Sequence, residues 1–302
     1  MKEPAATEPP AGRQGPGAMP QGLIDALGLG LVRRSGHGMP GDLRAASVGA
    51  GTELAQLRTY EPGDDVRNID AASTARTGEP HVRLHVPERT HVTWVVLDVS
   101  PSMAFGTARR LKADVAEGAA LVLGRLAIRR AGSLGLVTFG AGAVHLHPPR
   151  SSRPGMLALR RVLAAGVARD GHRDPTGLAH ALRQIGLSSR APGLVAVISD
   201  FRDQENWLRP LAALRARHAV LAVEVGDPRE QELPAAGRLM VVDPETGETF
   251  EVDTSRRVRR RFAELEAERR ATLAQELKRV RVDHAVLSTD GDWLLELGRR
   301  LR

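Results

Sequence analysis

The chain has no cysteine among its 302 residues. That excludes a disulfide framework and any zinc site built on thiolates, and it suits a reducing cytoplasm. Aromatics are scarce at 3%, so a core has to be assembled from Leu, Val and Ala. Long apolar runs are missing too. Val92–Val99 and Leu194–Ile198 are strand-sized, far short of the roughly 20 residues that span a bilayer. The opening Met1-Lys2-Glu3-Pro4 leads into Ala, Pro, Gly and Gln rather than into the apolar stretch of a signal peptide. A cytoplasmic protein with no direct membrane insertion is expected.

Several catalytic signatures are also absent. No Gly-x-x-x-x-Gly-Lys-Ser/Thr loop is present, which excludes ATP hydrolysis by that route, and Gly-x-Ser-x-Gly is missing. A haloacid-dehalogenase-type phosphatase needs a second Asp two residues after its nucleophile; after Asp98 that position is Ser100, so the general acid/base is lacking. His145 and His147 share one strand face and His81 and His85 lie nearer the N-terminus, but no carboxylate at ligand spacing completes a zinc site. The net charge of +7 is nearly all Arg and raises a nucleic-acid hypothesis. No aromatic-interleaved basic patch accompanies it. The densest run, Arg259-Arg260-Arg261, is followed at once by Glu264, Glu266 and Glu268, the pattern of a solvated, salt-bridged helix face.

What is there is an alternation. Hydrophobic residues reach 42%, enough for a proper core, and the length suits one large domain or two modest ones at about 150 residues each. Residues 1–21 read as a disordered tail, Leu23–Leu31 as a short helix and Ser35–Thr52 as loop. From Val92 onward strands and helices take turns. Strands are expected at Val92–Asp98, Leu134–Phe139, Ala143–His147, Leu194–Ser199, Ala219–Val225 and Val282–Leu287. Helices are expected at Ala108–Ala131, Pro154–Ala165, Thr176–Ile185, Glu205–Arg217, from Ser255 to about Arg279, and at Trp293–Leu301. Leu239–Val242 and Thr249–Val252 flank turn chemistry and read as a β-hairpin. This pattern predicts an α/β fold with a doubly wound, mostly parallel sheet.

In such sheets ligands collect beyond the carboxyl ends of the strands. Two predicted strands run into Asp there, Asp98 and Asp200. Ser100 and Ser102 follow Asp98 at alternate positions, and Thr176 opens a helix. Two carboxylates and three hydroxyls are hard oxygen ligands, suited to Mg²⁺ or Mn²⁺, which take roughly six oxygens at about 2.1 Å. Neutral hydroxyls leave such an ion electron-poor and open to an incoming carboxylate. The bland alternative is helix capping by Ser100, Ser102 and Thr176.

The segment Leu57-Arg58-Thr59-Tyr60-Glu61-Pro62-Gly63-Asp64-Asp65-Val66-Arg67-Asn68-Ile69-Asp70, with Ala75-Arg76-Thr77-Gly78 after it, resembles the signature of a bacterial family of unknown function, domain family fifty-eight. Val96–Met103, Asp243-Pro244-Glu245-Thr246-Gly247 and Val282–Trp293 are similar to it too, so the resemblance covers roughly Leu31 to Arg302. It implies a von Willebrand factor type A-like domain over residues 91–302, with a small β-hairpin insertion and a metal-ion-dependent adhesion site at Asp98, Ser100, Ser102, Thr176 and Asp200. It also implies partnership with a MoxR-type AAA+ ATPase in protein maturation or complex assembly, and a client protein that presents a carboxylate. The extension at 22–90 would carry Tyr60, Pro62, Gly63, Asp64, Asp65, Arg67, Asp70 and Arg76, whose role is open between an internal ion-pair network and a docking surface. Ala71 stands where the family usually has Trp, and the N-terminal transmembrane helices of many members are not legible here. The expected function is a non-enzymatic, metal-dependent protein-binding module. The alternatives are a divalent-metal-dependent hydrolase and a nucleic-acid-binding protein.

Overall fold

The computed structural model describes residues 53–86, 92–129, 132–171, 177–189, 191–203 and 206–301. The expected tail, the Leu23–Leu31 helix and the Ser35–Thr52 loop therefore lie outside the described residues, as does Thr176. The chain divides into two compact units, one within residues 42–90 and one over 91–302.

In the first unit, β1 (Glu53–Thr59) and β2 (His81–Val86) pair antiparallel, joined by a turn and a short helix α1 (Ala71–Thr77). The charged residues of the Tyr60–Arg76 motif set local geometry here. Asp64 accepts from the Glu61 N–H and pairs with Arg58 at 2.7 Å. Asp65 accepts from the Arg67 N–H. Asp70 caps α1 through the Ser73 N–H at 2.6 Å and also binds Arg83. Gly63 and Gly78 take left-handed conformations that only glycine adopts freely, and Gly78 ends α1. Among the described residues neither Arg67 nor Arg76 enters an ion pair, so an ion-pair network of the expected membership does not form. Its cations are Arg58 and Arg83 instead.

In the second unit a six-stranded sheet has the order β10-β7-β6-β3-β4-β5. The strands are β3 (Val92–Asp98), β4 (Ser133–Phe139), β5 (His145–Ser151), β6 (Gly193–Ser199), β7 (Ala219–Gly226) and β10 (Asp283–Ser288). All neighbours run parallel except β5, which is antiparallel to β4. Pro148 and Pro149 sit in β5, which is an edge strand, the place where a missing N–H is tolerated. β8 (Arg238–Val242) and β9 (Thr249–Asp253) form the expected hairpin.

Helices cover both faces, because the continuous apolar strands alternate their side chains between two cores. One face carries Val95, Leu97, Leu136, Ile198 and Val223 against α2 (Lys112–Arg129), α3 (Ser152–Ala164) and α7 (Trp293–Arg300). The other carries Trp94, Val96, Val137, Val195 and Val197 against α4 (Leu178–Ser188), α5 (Leu208–Arg215) and α6 (Arg256–Arg279). The fold is thus mixed α/β with a mostly parallel central sheet, as expected. The clearest boundary difference is α2, which starts at Lys112 rather than Ala108. Gly106 packs so closely on Arg110 and Leu111 that a Cβ there would sit 2.3 Å from the Arg110 carbonyl oxygen, and this folded-back loop occupies the expected first turn. Ser255 caps α6 as expected. Arg260 and Glu264 form an exposed i,i+4 pair on that helix, whereas Glu266 is buried and turns inward.

With so few aromatics, the ones present need room. Trp94 is fully buried, and its ring lies over Gly135, its register partner on β4, where a Cβ would come within 2.6 Å of the ring. Gly135→Val should therefore lower the unfolding free energy by about 1–3 kcal/mol through overpacking, measured by urea denaturation. Asp227, fully buried just after β7, ties three loops together. It accepts from the Thr107 N–H and hydroxyl, the Arg229 N–H and the Thr289 hydroxyl at 2.5–2.9 Å. Burial raises its pKa, but these donors outweigh burial and hold the carboxyl below its ordinary value. A depressed folded-state pKa contributes stability above the unfolded value and loses it as pH falls. Asp227→Asn should cost about 2 kcal/mol at pH 7, and its deficit against the wild type should shrink below about pH 4; urea titrations at several pH values measure both.

Candidate metal centre

The chain leaves β3 to one side of the sheet, building β4 and β5, and then returns to the other side to lay down β6. The carboxyl ends of β3 and β6 therefore flank the point where strand order reverses, and a crevice opens there. Asp98 is the last residue of β3, and Asp200 directly follows β6. Both side chains are buried.

The turn after Asp98 is held from two sides. Val99 N–H donates to the Phe139 carbonyl at 2.9 Å, and Gly140, at φ 92°, packs against Ser100 so tightly that a Cβ would lie 2.7 Å from the Ser100 Cβ. Ser100 N–H donates to Asp98 Oδ1 at 3.0 Å, and the Ser199 hydroxyl donates to Asp98 Oδ2 at 2.5 Å. The Ser100 and Ser102 hydroxyls lie 3.1 Å apart, and Ser102 Oγ donates to Asp200 Oδ2 at 2.9 Å. The two serines cap nothing with their side chains. Ser100 precedes a 3₁₀ turn at Pro101–Ala104 without a side-chain capping bond, and the Leu111 N–H just ahead of α2 is met by Asp114.

The loop after Asp200 carries a strained residue. Phe201 sits at φ 53°, a left-handed conformation that non-glycine residues rarely adopt. It is over-determined by its surroundings: its N–H donates to Ser199 Oγ at 3.0 Å, its ring packs on Trp207 at 5.3 Å, and the next N–H, of Arg202, donates to Asp200 Oδ1 at 3.1 Å. Asp203 accepts from the Leu178 N–H at 3.0 Å, so α4 begins beside this loop. Thr176 falls among the residues not described.

Sequence reasoning missed the cation. Lys2, Lys112 and Lys278 are the only lysines in this arginine-rich chain, and Lys112 is wholly buried at the N-terminus of α2. A helix N-terminus disfavours positive charge, so its partners must hold it. Its ammonium donates to Asp200 Oδ2 at 2.7 Å and to Glu230 Oε1 at 2.6 Å. From Glu230 the ion pairs continue through Arg202 (3.4 Å), Glu266 (2.9 Å), Arg269 (2.9 Å) and Glu224 (3.3 Å), and Glu224 also meets the His284 imidazole (3.0 Å). A lysine within an apolar helical stripe was the signal available; its partner 118 residues away was not. Also missed was Glu245, at the tip of the β8–β9 hairpin, whose Oε1 accepts from the Ser102 N–H at 3.4 Å.

The two aspartates are electrostatically unequal. Burial, then the nearby charge of Asp200, push the Asp98 carboxyl up to about 7, although Ser100 and Ser199 pull the other way. Burial also acts upward on Asp200, but the Lys112 ammonium outweighs it, aided by Ser102 and the Arg202 N–H, and holds that carboxyl below its ordinary value. Among the described residues no group of three or more His, Asp and Glu side chains is spaced to hold a metal. A shell of two carboxylates and several hydroxyls is of a different kind. An octahedral Mg²⁺ shell with oxygens at about 2.1 Å has edges of about 3.0 Å, and the Ser100 and Ser102 hydroxyl oxygens lie 3.1 Å apart. Each aspartate oxygen accepts from protein N–H or O–H groups, Asp200 Oδ2 from two of them, so Asp98 and Asp200 Oδ1 keep the freer lone pairs. The donor set fits a hard divalent ion.

The chain matches the family described as a protein of unknown function, DUF58, over residues 56–272. An uncharacterised protein of Mycobacterium tuberculosis (strain H37Rv) is 36% identical over 306 residues, covering 99% of this chain and 94% of that one. An uncharacterised protein of Mycobacterium bovis matches to the same extent. Among solved structures, the conserved hypothetical protein BatB from Bacteroides thetaiotaomicron covers 70% of this chain and 96% of its own, at 14% identity and a TM-score of 0.44, too distant to carry an argument. Among the described residues no helix is long and apolar enough to cross a membrane. A family segment spanning most of the chain, together with relatives alignable over nearly its full length, makes this protein a member of the DUF58 family.

Proposed function

We propose that residues 91–302 form a von Willebrand factor type A-like, metal-dependent protein-binding module that works in the cytoplasm with a MoxR-type AAA+ ATPase on a client protein. The observation that carries this reading is the convergence of Asp98, Ser100, Ser102 and Asp200, from two strand ends, on one rim of the sheet. Asp98, Ser100, Ser102 and Asp200 would hold Mg²⁺ or Mn²⁺, with Thr176 as the further hydroxyl implied by the family pattern. A bound ion of this kind supplies an electron-poor coordination position that favours an incoming carboxylate.

The protein's own residues do the remaining work. Ser199 and the Ser100 N–H orient Asp98, and Lys112 with the Arg202 N–H orients Asp200, so the oxygens are set before any ion arrives. The Lys112 ammonium offsets one carboxylate charge, which keeps the site from being strongly anionic and leaves an incoming acidic group less repelled.

A pull-down with the full chain as bait, with Mg²⁺ and with EDTA, tests this. Wild type should retain the ATPase or a client only with Mg²⁺. Asp98→Ala should abolish that retention, and Asp98→Asn, which keeps the side chain's shape, should do so with an unchanged circular dichroism spectrum. Equal capture in EDTA, or by either variant, overturns the reading. Mg²⁺-dependent turnover of a phosphoester panel by wild type would replace it with hydrolysis.

A further inference from the structure

The tip of the β8–β9 hairpin is anchored on the metal-site side of the domain. Asp243 closes the turn by accepting from the Glu245 N–H at 2.9 Å and the Thr246 hydroxyl at 3.0 Å. Gly171 N–H donates to the Pro244 carbonyl at 2.8 Å. Gly171 and Gly247, both at positive φ, approach so closely that a Cβ on Gly247 would lie 3.4 Å from the Gly171 Cα. The segment that carries Gly171 is itself tied to the serine turn, because the Ala168 N–H donates to the Val99 carbonyl at 2.8 Å. These contacts pin the tip beside Asp98–Ser102, and the side chain they deliver is Glu245.

That delivery is costly on its own terms. Glu245 is half-buried, and among the described residues its carboxylate accepts a hydrogen bond from the Ser102 N–H at 3.4 Å. Burial first, and then the nearby charges of Asp200, Asp243 and Asp203, push its pKa up, although the Ser102 N–H pulls the other way. Among the described residues no arginine or lysine pairs with it, and Lys112 is already engaged by Asp200 and Glu230. A carboxylate held against three others is repelled unless a cation stands among them. The fold nevertheless spends a hydrogen-bonded turn, two close glycines and a backbone tether on holding it there.

We infer that Glu245 is a self-supplied ligand of the metal site, seated at the coordination position that a client's carboxylate would take. Partner binding then requires one carboxylate to be exchanged for another, and the hairpin sets how acidic or well placed a client group must be to win. The inference rests on the metal-site reading above and deepens it by naming the group that occupies the site between clients.

Mn²⁺ is the probe, used with the full chain. Electron paramagnetic resonance of free Mn²⁺ gives affinity, and the water-proton relaxivity of bound Mn²⁺ counts its exchangeable waters. Ser102→Ala serves as the control for the site itself and should lose binding. Glu245→Ala should weaken binding roughly tenfold or more and raise the relaxivity per bound ion, as a water enters the vacated position. In EDTA its melting temperature should not fall, since a repelled carboxylate has been removed. Unchanged affinity and relaxivity in Glu245→Ala, with binding lost in Ser102→Ala, overturns the inference and leaves the site reading standing. Weaker affinity at unchanged relaxivity makes Glu245 a remote charge and overturns it as well. A wild type that binds no Mn²⁺ removes both readings together.

Discussion

Two carboxylates buried side by side, with one ammonium between them and the rest of the rim, is the constraint around which this domain is arranged. Burying a charge without a partner costs several kcal/mol, so each neighbour of Asp98 and Asp200 has an assigned task. Lys112 answers Asp200 outright. Asp98 is met by serine hydroxyls and a backbone N–H but by no cation among the described residues, and burial beside Asp200 raises its pKa. The ammonium has its own requirement, met by Glu230, which a capping box with Asp227 fixes in place. The ion pairs from Asp200 out to Glu224 follow from that first burial, since each buried charge needs a partner of opposite sign.

The fold places this chemistry through connectivity. Reversal of strand order between β3 and β6 leaves a crevice at two strand ends, where Asp98 closes β3 and Asp200 follows β6. The left-handed Phe201 then turns the chain sharply enough for Asp200 to face the serines while the Arg202 side chain reaches Glu230 and Glu266. Held by a ring contact and two hydrogen bonds, it is the kind of strained position that persists where the surroundings over-determine it.

Much of this was legible in the residues themselves. Strands that are buried on both faces read as apolar runs, and Asp at their ends gave away the rim. The hairpin and the Ser255 cap were readable from turn and capping chemistry. β1 was not, because a bulge between Leu54 and Gln56 breaks the alternation that marks a strand. His81–Val86 does alternate, but a lone short strand has no readable partner. The start of α2 was misplaced since apolar spacing continues through Ala108 while the loop beneath it folds back on Gly106. Glu266 read as solvated because a helix face says nothing about an arginine on a distant loop. Lys112 to Glu230 and Ser102 to Glu245 are separated by 118 and 143 residues, and no local pattern encodes pairings of that reach.

The two prolines of β5 have a consequence for how copies of this molecule meet. An outermost strand normally offers a ladder of donors on which a second sheet can grow. Pro148 and Pro149 leave gaps in that ladder, so a neighbouring strand finds no continuous row to zip onto. Edge-to-edge pairing is thus discouraged along that flank, and copies of the molecule are kept from extending one another's sheet by that side.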